Sequence, residues 1–168
     1  QGIEVGIDEI LNCREKRVAI QNEMIKKYNK PVISFTMNIP GPIKTNNEIK
    51  AAFDIGKNLI LEKLKENNIE ILEVQELNEN TGNELFISAN SSAEKIKDIT
   101  VTIEENSELG RLFDIDVIDV NFKKLSRKSF RKCLICERQA QECGRSRKHS
   151  VEELQKKVEE ILSKGANW

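Results

Sequence analysis

The chain has 168 residues, 38% of them hydrophobic and 33% charged, with a formal net charge of −1. That is enough chain and enough apolar content for one domain with a real core, and its longest apolar runs are far too short to span a bilayer. Four cysteines do not make a disulfide scaffold at this length, and three of them cluster with the only histidine, which points to a reducing compartment and to a metal or reactive site. No basic-then-apolar leader is present, so no export signal is expected, and a chain that opens on Gln1 is expected to lack its native N-terminus. The expectation is a cytoplasmic, single-domain protein over residues 1–168.

The small net charge hides a strong polarity. Residues 1–122 carry 14 Lys and Arg against 22 Asp and Glu, whereas residues 123–149 carry 10 against 2. A basic block of that density is either a solvated face or a site for a polyanion: nucleic acid, phosphates or an acidic partner protein.

Along the chain, residues 7–28 favour helix, with Leu11, Val18 and Ile25 seven apart on one face, expected to pack on the core. Arg14, Arg17 and Gln21 lie beside that stripe. The arginines either snorkel past the core or look into a site. The segment VISFTMNI, Val32–Ile39, alternates like a strand and stops at Pro40-Gly41-Pro42, leaving Asn38 at its rim. Thr45-Asn46-Asn47-Glu48 matches a capping box ahead of a helix that runs through Leu64. Strands are expected over Ile69–Leu77 and Glu84–Ala89, joined by the turn Asn80–Asn83. Ser91 and Ser92 should cap a short helix ending near Asp98. Ile99–Glu104 and Arg111–Val120 then read as a hairpin around 106–110. The order over residues 32–104 is β-α-β-β-α-β, as in the ferredoxin-like sandwich, with one further strand. The fold expected is therefore α+β: a mostly antiparallel sheet of about five strands with packed helices. A small basic Cys/His-rich segment and a helix over 151–163 follow.

Three places carry candidate chemistry. Asp114 and Asp116, two apart on a strand, project from one face, together with Leu112 and Ile118. Such a pair is either solvated at a strand end or satisfied by a cation, and Mg²⁺ held by two carboxylates suits phosphoryl or nucleotidyl transfer. Glu104, Glu105 or Asp119 are candidates for a third carboxylate, but a register slip of one residue moves each to the other face. Cys133-x2-Cys136-x6-Cys143-x5-His149 matches a tetrahedral Cys₃His zinc site, structural because four protein ligands leave no open position. The alternative is small buried cysteines and a surface histidine. Finally, the loop Asn38–Lys44 leads into a capped helix. It is either a plain turn with an exposed Lys44 or an anion site made by that lysine and the helix N-terminus.

The ordered set of segments resembles the apo-citrate lyase phosphoribosyl-dephospho-CoA transferase (holo-citrate lyase synthase) family. The resemblance rests on Arg14-Glu15-Lys16-Arg17 with Gln21, on Asn38–Lys44, on Gly110–Val117, on Ser126-Arg127, on Arg131–Cys136 and on Cys143–Ser150. It spans about residues 8–162, and Gly144 stands where the family commonly has another small residue such as Ala. The resemblance implies a nucleotidyltransferase. The donor is 2′-(5″-triphosphoribosyl)-3′-dephospho-CoA, the acceptor a serine of the apo acyl carrier subunit of citrate lyase, and the leaving group pyrophosphate. On that reading Asp114 and Asp116 are catalytic and hold Mg²⁺. Arg111, with Lys44 and Arg14 or Arg17, neutralises the triphosphate, and Asn38 belongs to the same binding set. The zinc knot holds the 123–149 segment so that Arg127, Arg131, Arg145 and Arg147 face the polyphosphate or an acidic carrier surface. The chain is then one transferase domain, with 123–149 as its basic subregion.

Two rival classes fit parts of the sequence. A zinc-stabilised nucleic-acid-binding protein would use the basic segment on phosphates, although Phe130 is its only aromatic residue for stacking on bases. A non-catalytic carrier-binding protein would keep the fold and lose the chemistry. The transferase reading expects no nucleic acid and no membrane among its partners.

Overall fold

The computed structural model describes residues 2–127, 131, 133–136, 139, 140, 142, 143 and 149–164. In chain order these form α1 (Ile7–Tyr28), β1 (Val32–Met37), α2 (Asn47–Glu66), β2 (Glu70–Glu79), β3 (Gly82–Asn90) and α3 (Ala93–Glu105). A 3₁₀ turn (Leu109–Leu112), β4 (Phe113–Ile118) and α4 (Val151–Ser163) complete them. The sheet runs β2-β3-β1-β4 with every neighbouring pair antiparallel. This is the interleaved order of two split β-α-β units, so the α+β expectation and the ferredoxin-like order hold.

The period of two along each strand divides the sheet into two unlike faces. Ile33 and Phe35, Leu85 and Ile87, and Phe113, Ile115 and Val117 point to one side, where they meet Phe53, Ile60 and Leu64 of α2 and Ile96 and Ile103 of α3. Val158 and Ile161 of α4 close the same core. The opposite face is mostly polar along its open half: Thr36, Glu84, Asp114 and Asp116 share it with Ser34. Val32, Phe86 and Ile118 make a small apolar cluster there with Met24 and Ile25 of α1, and Ile20 and Leu77 pack against it.

At the centre of the main core Phe35 stacks on Phe53, with ring centroids 4.9 Å apart, and meets Phe113 edge-on at 5.2 Å. Gly56 of α2 rides over this trio: a Cβ there would lie 2.5 Å from Phe35 Cζ and 3.0 Å from Phe113 Cζ. In an exposed helix, alanine in place of glycine gains up to about 1 kcal/mol. Here the rings are held on both sides and cannot yield, so overpacking of about 1–3 kcal/mol outweighs that gain. Gly56→Ala is expected to lower the urea midpoint; a rise would show that α2 has slack over the rings.

The structure departs from the sequence reading in four places. Ile99–Glu104 is not a strand but the second half of α3, so β4 itself supplies the last strand of the β-α-β-β-α-β order. Four strands, rather than about five, form the sheet among the described residues. The run ITVTIE has β composition, but Ala93, Ile96, Thr100 and Ile103 recur at helical spacing and are all buried against the sheet. Ser92 caps the helix by accepting from Lys95 N at 3.2 Å. Burial of that face outweighs a weak β preference. As a result there is no hairpin at 106–110, β4 begins at Phe113, and Leu112 belongs to the 3₁₀ turn rather than to the aspartate face. The cap of α2 is Asn46, whose Oδ1 accepts from Ile49 N at 2.8 Å, rather than Thr45. Lastly, Leu11 and Val18 are 48% and 51% exposed, so of the expected apolar stripe only Ile25 enters the core. The capping box of α4 is present as read: Ser150 Oγ accepts from Glu153 N and Glu153 Oε1 from Ser150 N, both at 3.1 Å.

Candidate active site

Strand β4 is an edge strand, so one row of its backbone groups has no neighbouring strand to bond. Charged side chains do that work instead. Ile115 N donates to Glu104 Oε2 at 2.9 Å, and Lys97 Nζ donates to Ile115 O at 3.0 Å. Arg131 donates to the carbonyls of Arg111, at 2.9 Å, and of Phe113. After β4 the chain turns back and Leu125 N donates to Val117 O at 2.9 Å. Glu104, 3% exposed in its side chain, also accepts from Arg127 at 2.6 and 3.2 Å. Glu104 thus braces β4, and it also lines the cavity of Asp114 and Asp116, where its charge adds to the rise of the Asp116 carboxyl.

Gly110 sets the start of the strand. A Cβ on it would fall 2.6 Å from the carbonyl oxygens of both Ile103 and Glu104, so the turn closes onto α3 only with glycine. From there Asp114 and Asp116 emerge on the polar face, opposite Thr36 and Ser34 of β1. Burial, and then the neighbouring Asp114 charge, push the Asp116 carboxyl above the ordinary carboxylate range, while Lys124, with Nζ 3.7 Å away, and Lys97 oppose that rise.

Two cavities meet at Asp114. The first, about 210 Å³, is lined by Arg14 and Arg17 of α1, by Thr36, Asn38, Lys44 and Glu84, and by Asp114. The second, about 460 Å³, is lined by Asp114, Asp116, Lys97, Lys124, Ser126, Arg127 and Arg131. In the first, Arg17 is bound by Glu84: burial works hardest against the guanidinium, but the charge and hydrogen bond of Glu84, with Cys13, together hold its pKa above the ordinary value. Arg14 and Lys44 have no ion-pair partner among the described residues, and burial followed by the Arg14 charge holds the Lys44 ammonium below its ordinary pKa. Lys44 Nζ donates to Ile39 O at 2.8 Å, so it is fixed rather than free to swing out. Two cations without an ion-pair partner among the described residues, on the wall of one cavity, favour an anionic ligand.

The structure thus gathers Arg14, Arg17, Asn38, Lys44 and Asp114 around one cavity and Asp114, Asp116, Arg127 and Arg131 around the next. Arg111 lies apart from both and donates to Cys133 O. Arg145 and Arg147 lie outside the described residues. Glu84 is the residue that sequence reasoning misses: at the head of a strand it looks solvated, yet it is buried beneath α1, 67 and 71 residues away from its partners Arg17 and Cys13. Cys13 Sγ donates to Glu84 Oε2 at 2.9 Å, and burial together with that carboxylate pushes the thiol up, keeping it protonated.

Cys133, Cys136, Cys143 and His149 bring their ligand atoms within 4.8 Å of one another and could hold a metal ion such as zinc. Cys136 Sγ lies 3.5 Å from Cys143 Sγ and 3.4 Å from His149 Nε2. Tetrahedral ligands about 2.0–2.3 Å from one zinc ion stand at such separations. Glu153 Oε2, 3.8 Å from His149 Nδ1, sits where an orienting carboxylate belongs. Because Arg111 binds Cys133 O and Arg131 binds the backbone at the start of β4, this knot is tied directly to the strand that carries the aspartates.

Fold and site together define an α+β domain with a cleft lined by cations, paired carboxylates on its floor and a Cys₃His cluster alongside. The chain belongs to the apo-citrate lyase phosphoribosyl-dephospho-CoA transferase family, which matches residues 5–165. It is similar to a probable apo-citrate lyase phosphoribosyl-dephospho-CoA transferase of Vibrio cholerae serotype O1 (strain M66-2), with 40% identity over 95% of this chain and 92% of the relative. The enzyme so named in Citrobacter koseri is 34% identical over 94% of the chain and 88% of its own length. A probable member from Streptococcus pyogenes serotype M18 is 34% identical over 96% and 87%. Family membership favours the transferase over the nucleic-acid-binding and carrier-binding readings. None of the described helices is long and apolar enough to cross a membrane.

Proposed function

We propose that this chain moves the phosphoribosyl-dephospho-CoA group from 2′-(5″-triphosphoribosyl)-3′-dephospho-CoA to a serine of the apo acyl carrier subunit of citrate lyase. The step is a nucleotidyl transfer. The serine oxygen forms a bond to the α-phosphorus, the bond to the β-phosphate oxygen breaks, and pyrophosphate leaves while the serine proton passes to a base. The observation that carries this reading is the position of Asp114, on the wall shared by the cavity of Arg14 and Lys44 and the cavity of Asp116. Charge on the polyphosphate meets Arg14 and Lys44, and preorganised cations of this kind stabilise the leaving pyrophosphate. Asp114 and Asp116, partly exposed and on one strand face, suit Mg²⁺, which when bound neutralises phosphate charge. Arg17 is held in the cavity wall by Glu84. Arg127 and Arg131 reach the second cavity while bracing β4, so their first role is to hold the aspartates in place. Arg145 and Arg147 remain candidates for the polyphosphate or the carrier.

The domain acts as one transferase unit, its basic subregion 123–149 organised by structural zinc, and thiols clustered for a metal suit a reducing, cytoplasmic setting. Purified protein is expected to carry about one zinc per chain, and Cys136→Ser to lose both the metal and thermal stability. A folded, active sample without metal would remove the zinc from the account.

The transfer itself is tested by pyrophosphate release. Release should require donor, Mg²⁺ and the unmodified carrier together, and should stop when the acceptor serine of the carrier is replaced by alanine. Release that is indifferent to the carrier would contradict the proposal.

A further inference from the structure

Helix α1 crosses the polar face of the sheet, and its two flanks meet different surroundings. One flank is tied to β2: Lys16 pairs with Glu79 at 2.8 Å and Lys27 with Glu73 at 3.1 Å. The other flank looks over β4, since Ile25 packs there in one cluster with Ile118. At helical spacing Ile7, Leu11, Arg14 and Val18 continue that second flank toward the N-terminus of α1. As the flank leaves Ile118 it passes beside the open half of the sheet face, where the floor becomes Asp116 and Asp114. Here its apolar residues are uncovered: Ile7 is 77% exposed, Leu11 48% and Val18 51%. None of the three lines either of the two cavities that meet at Asp114, whereas Arg14, between them, lines the first. The stripe is therefore the rim of the cleft and not its wall.

The geometry points to this stripe as the docking surface for the acceptor protein, with the partner contributing an apolar patch bordered by acidic side chains. This rests on the transferase reading, because an acceptor hydroxyl carried by a protein must come to Asp114 from outside the cleft, and Arg14 of the stripe lines the same cavity as Asp114. A small-molecule donor is held by the cavity residues and has no need of side chains on the outer rim. A folded acceptor, in contrast, must bury surface around the mouth. The rim offers two cations: Arg14 stands within the stripe, and Lys124 reaches over Asp116 from the far side with its own side chain 64% exposed, while exposed Glu15 borders the stripe on its outer side. A partner that is acidic around an apolar centre meets both features. Apolar anchors ringed by charge are the usual anatomy of a specific interface.

The test uses the full chain, the donor with Mg²⁺ and the unmodified acyl carrier subunit, with the double variant Leu11→Glu/Val18→Glu against wild type. The substituted side chains are exposed, so the melting temperature should stay unchanged. The KM for the carrier is expected to rise at least 30-fold and the KM for the donor to stay within twofold. Asp116→Asn, titrated calorimetrically with carrier, should still bind it as wild type does. An unchanged carrier KM in the double variant would overturn the docking surface and leave the transferase reading intact. A rise in the donor KM alone would assign the stripe to the donor and also overturn it. So would a wild-type dimer that the double variant dissolves, since a second copy would then cover the stripe. Failure of wild type to modify or bind the carrier would overturn both readings together.

Discussion

Asp116→Asn is expected to lower transfer by about 10²–10³-fold or more while leaving the protein at least as stable as wild type. The two halves of this result have one cause. Asp116 is partly buried, two residues along the strand from Asp114, and burial followed by that second charge raises its carboxyl pKa; Lys124 and Lys97 offset the rise without cancelling it. A carboxyl whose pKa is higher in the folded than in the unfolded chain favours folding when protonated. That contribution is present below the unfolded value, about 3.9, and is lost as pH rises through the folded value. At neutral pH the ionised side chain therefore weighs against the fold, and an amide of the same shape removes the penalty. A site that keeps an unfavourable charge is one where the charge serves the reaction. The variant should melt no lower than wild type at pH 7.5, and the difference should shrink toward pH 4. Near-normal turnover, or a melting temperature several degrees lower with lost activity, would contradict the assignment.

The second large effect concerns stability. Glu104→Ala should cost about 3–5 kcal/mol, a fall of roughly 10 °C in melting temperature at this chain length. The carboxylate is buried and serves several groups at once: Ile115 N of β4, the Arg127 guanidinium and, by charge, the buried Lys97. Its loss leaves buried Lys97, half-buried Arg127 and a strand N–H with nothing in exchange, which is the costly way to break a buried ion pair. Glu104→Gln keeps an acceptor but not the charge, so it should fall between wild type and alanine. Urea denaturation of the three proteins checks the order. A cost under 1 kcal/mol for alanine would mean that the edge of β4 is satisfied in some other way.

Much of this architecture was legible beforehand, and the parts that were not share a cause. α1, β1, the β2–β3 hairpin and α4 are announced by local signals: a long run of helix formers, strict alternation before Pro40-Gly41-Pro42, a turn at Asn80–Asn83 and the Ser150 capping box. Asp114 and Asp116 share a face whatever strand they pair with, so their juxtaposition follows from the spacing alone. The Cys₃His grouping likewise follows from the short spacings between its members. What local signals cannot supply is which surface another element covers. The second half of α3 has strand composition and became helix because the sheet buries Ile96, Thr100 and Ile103. Leu11 and Val18 look like core and stay exposed because α1 sits over a polar floor. Glu84 looks exposed and is buried because the same helix crosses it. The arginines show the same limit: composition makes Arg111, Arg127 and Arg131 cations, but only the fold shows them spent on Cys133 O, Glu104 and the β4 carbonyls.

The measurement that bears most directly on the central claim is the intact mass of the unmodified acyl carrier subunit after incubation with this protein, the triphosphoribosyl precursor and Mg²⁺, with a matched reaction lacking the metal. A gain equal to one phosphoribosyl-dephospho-CoA group, present with Mg²⁺ and absent without it, is the predicted result. An unchanged mass, with a carrier that a known family member does modify, would contradict the account.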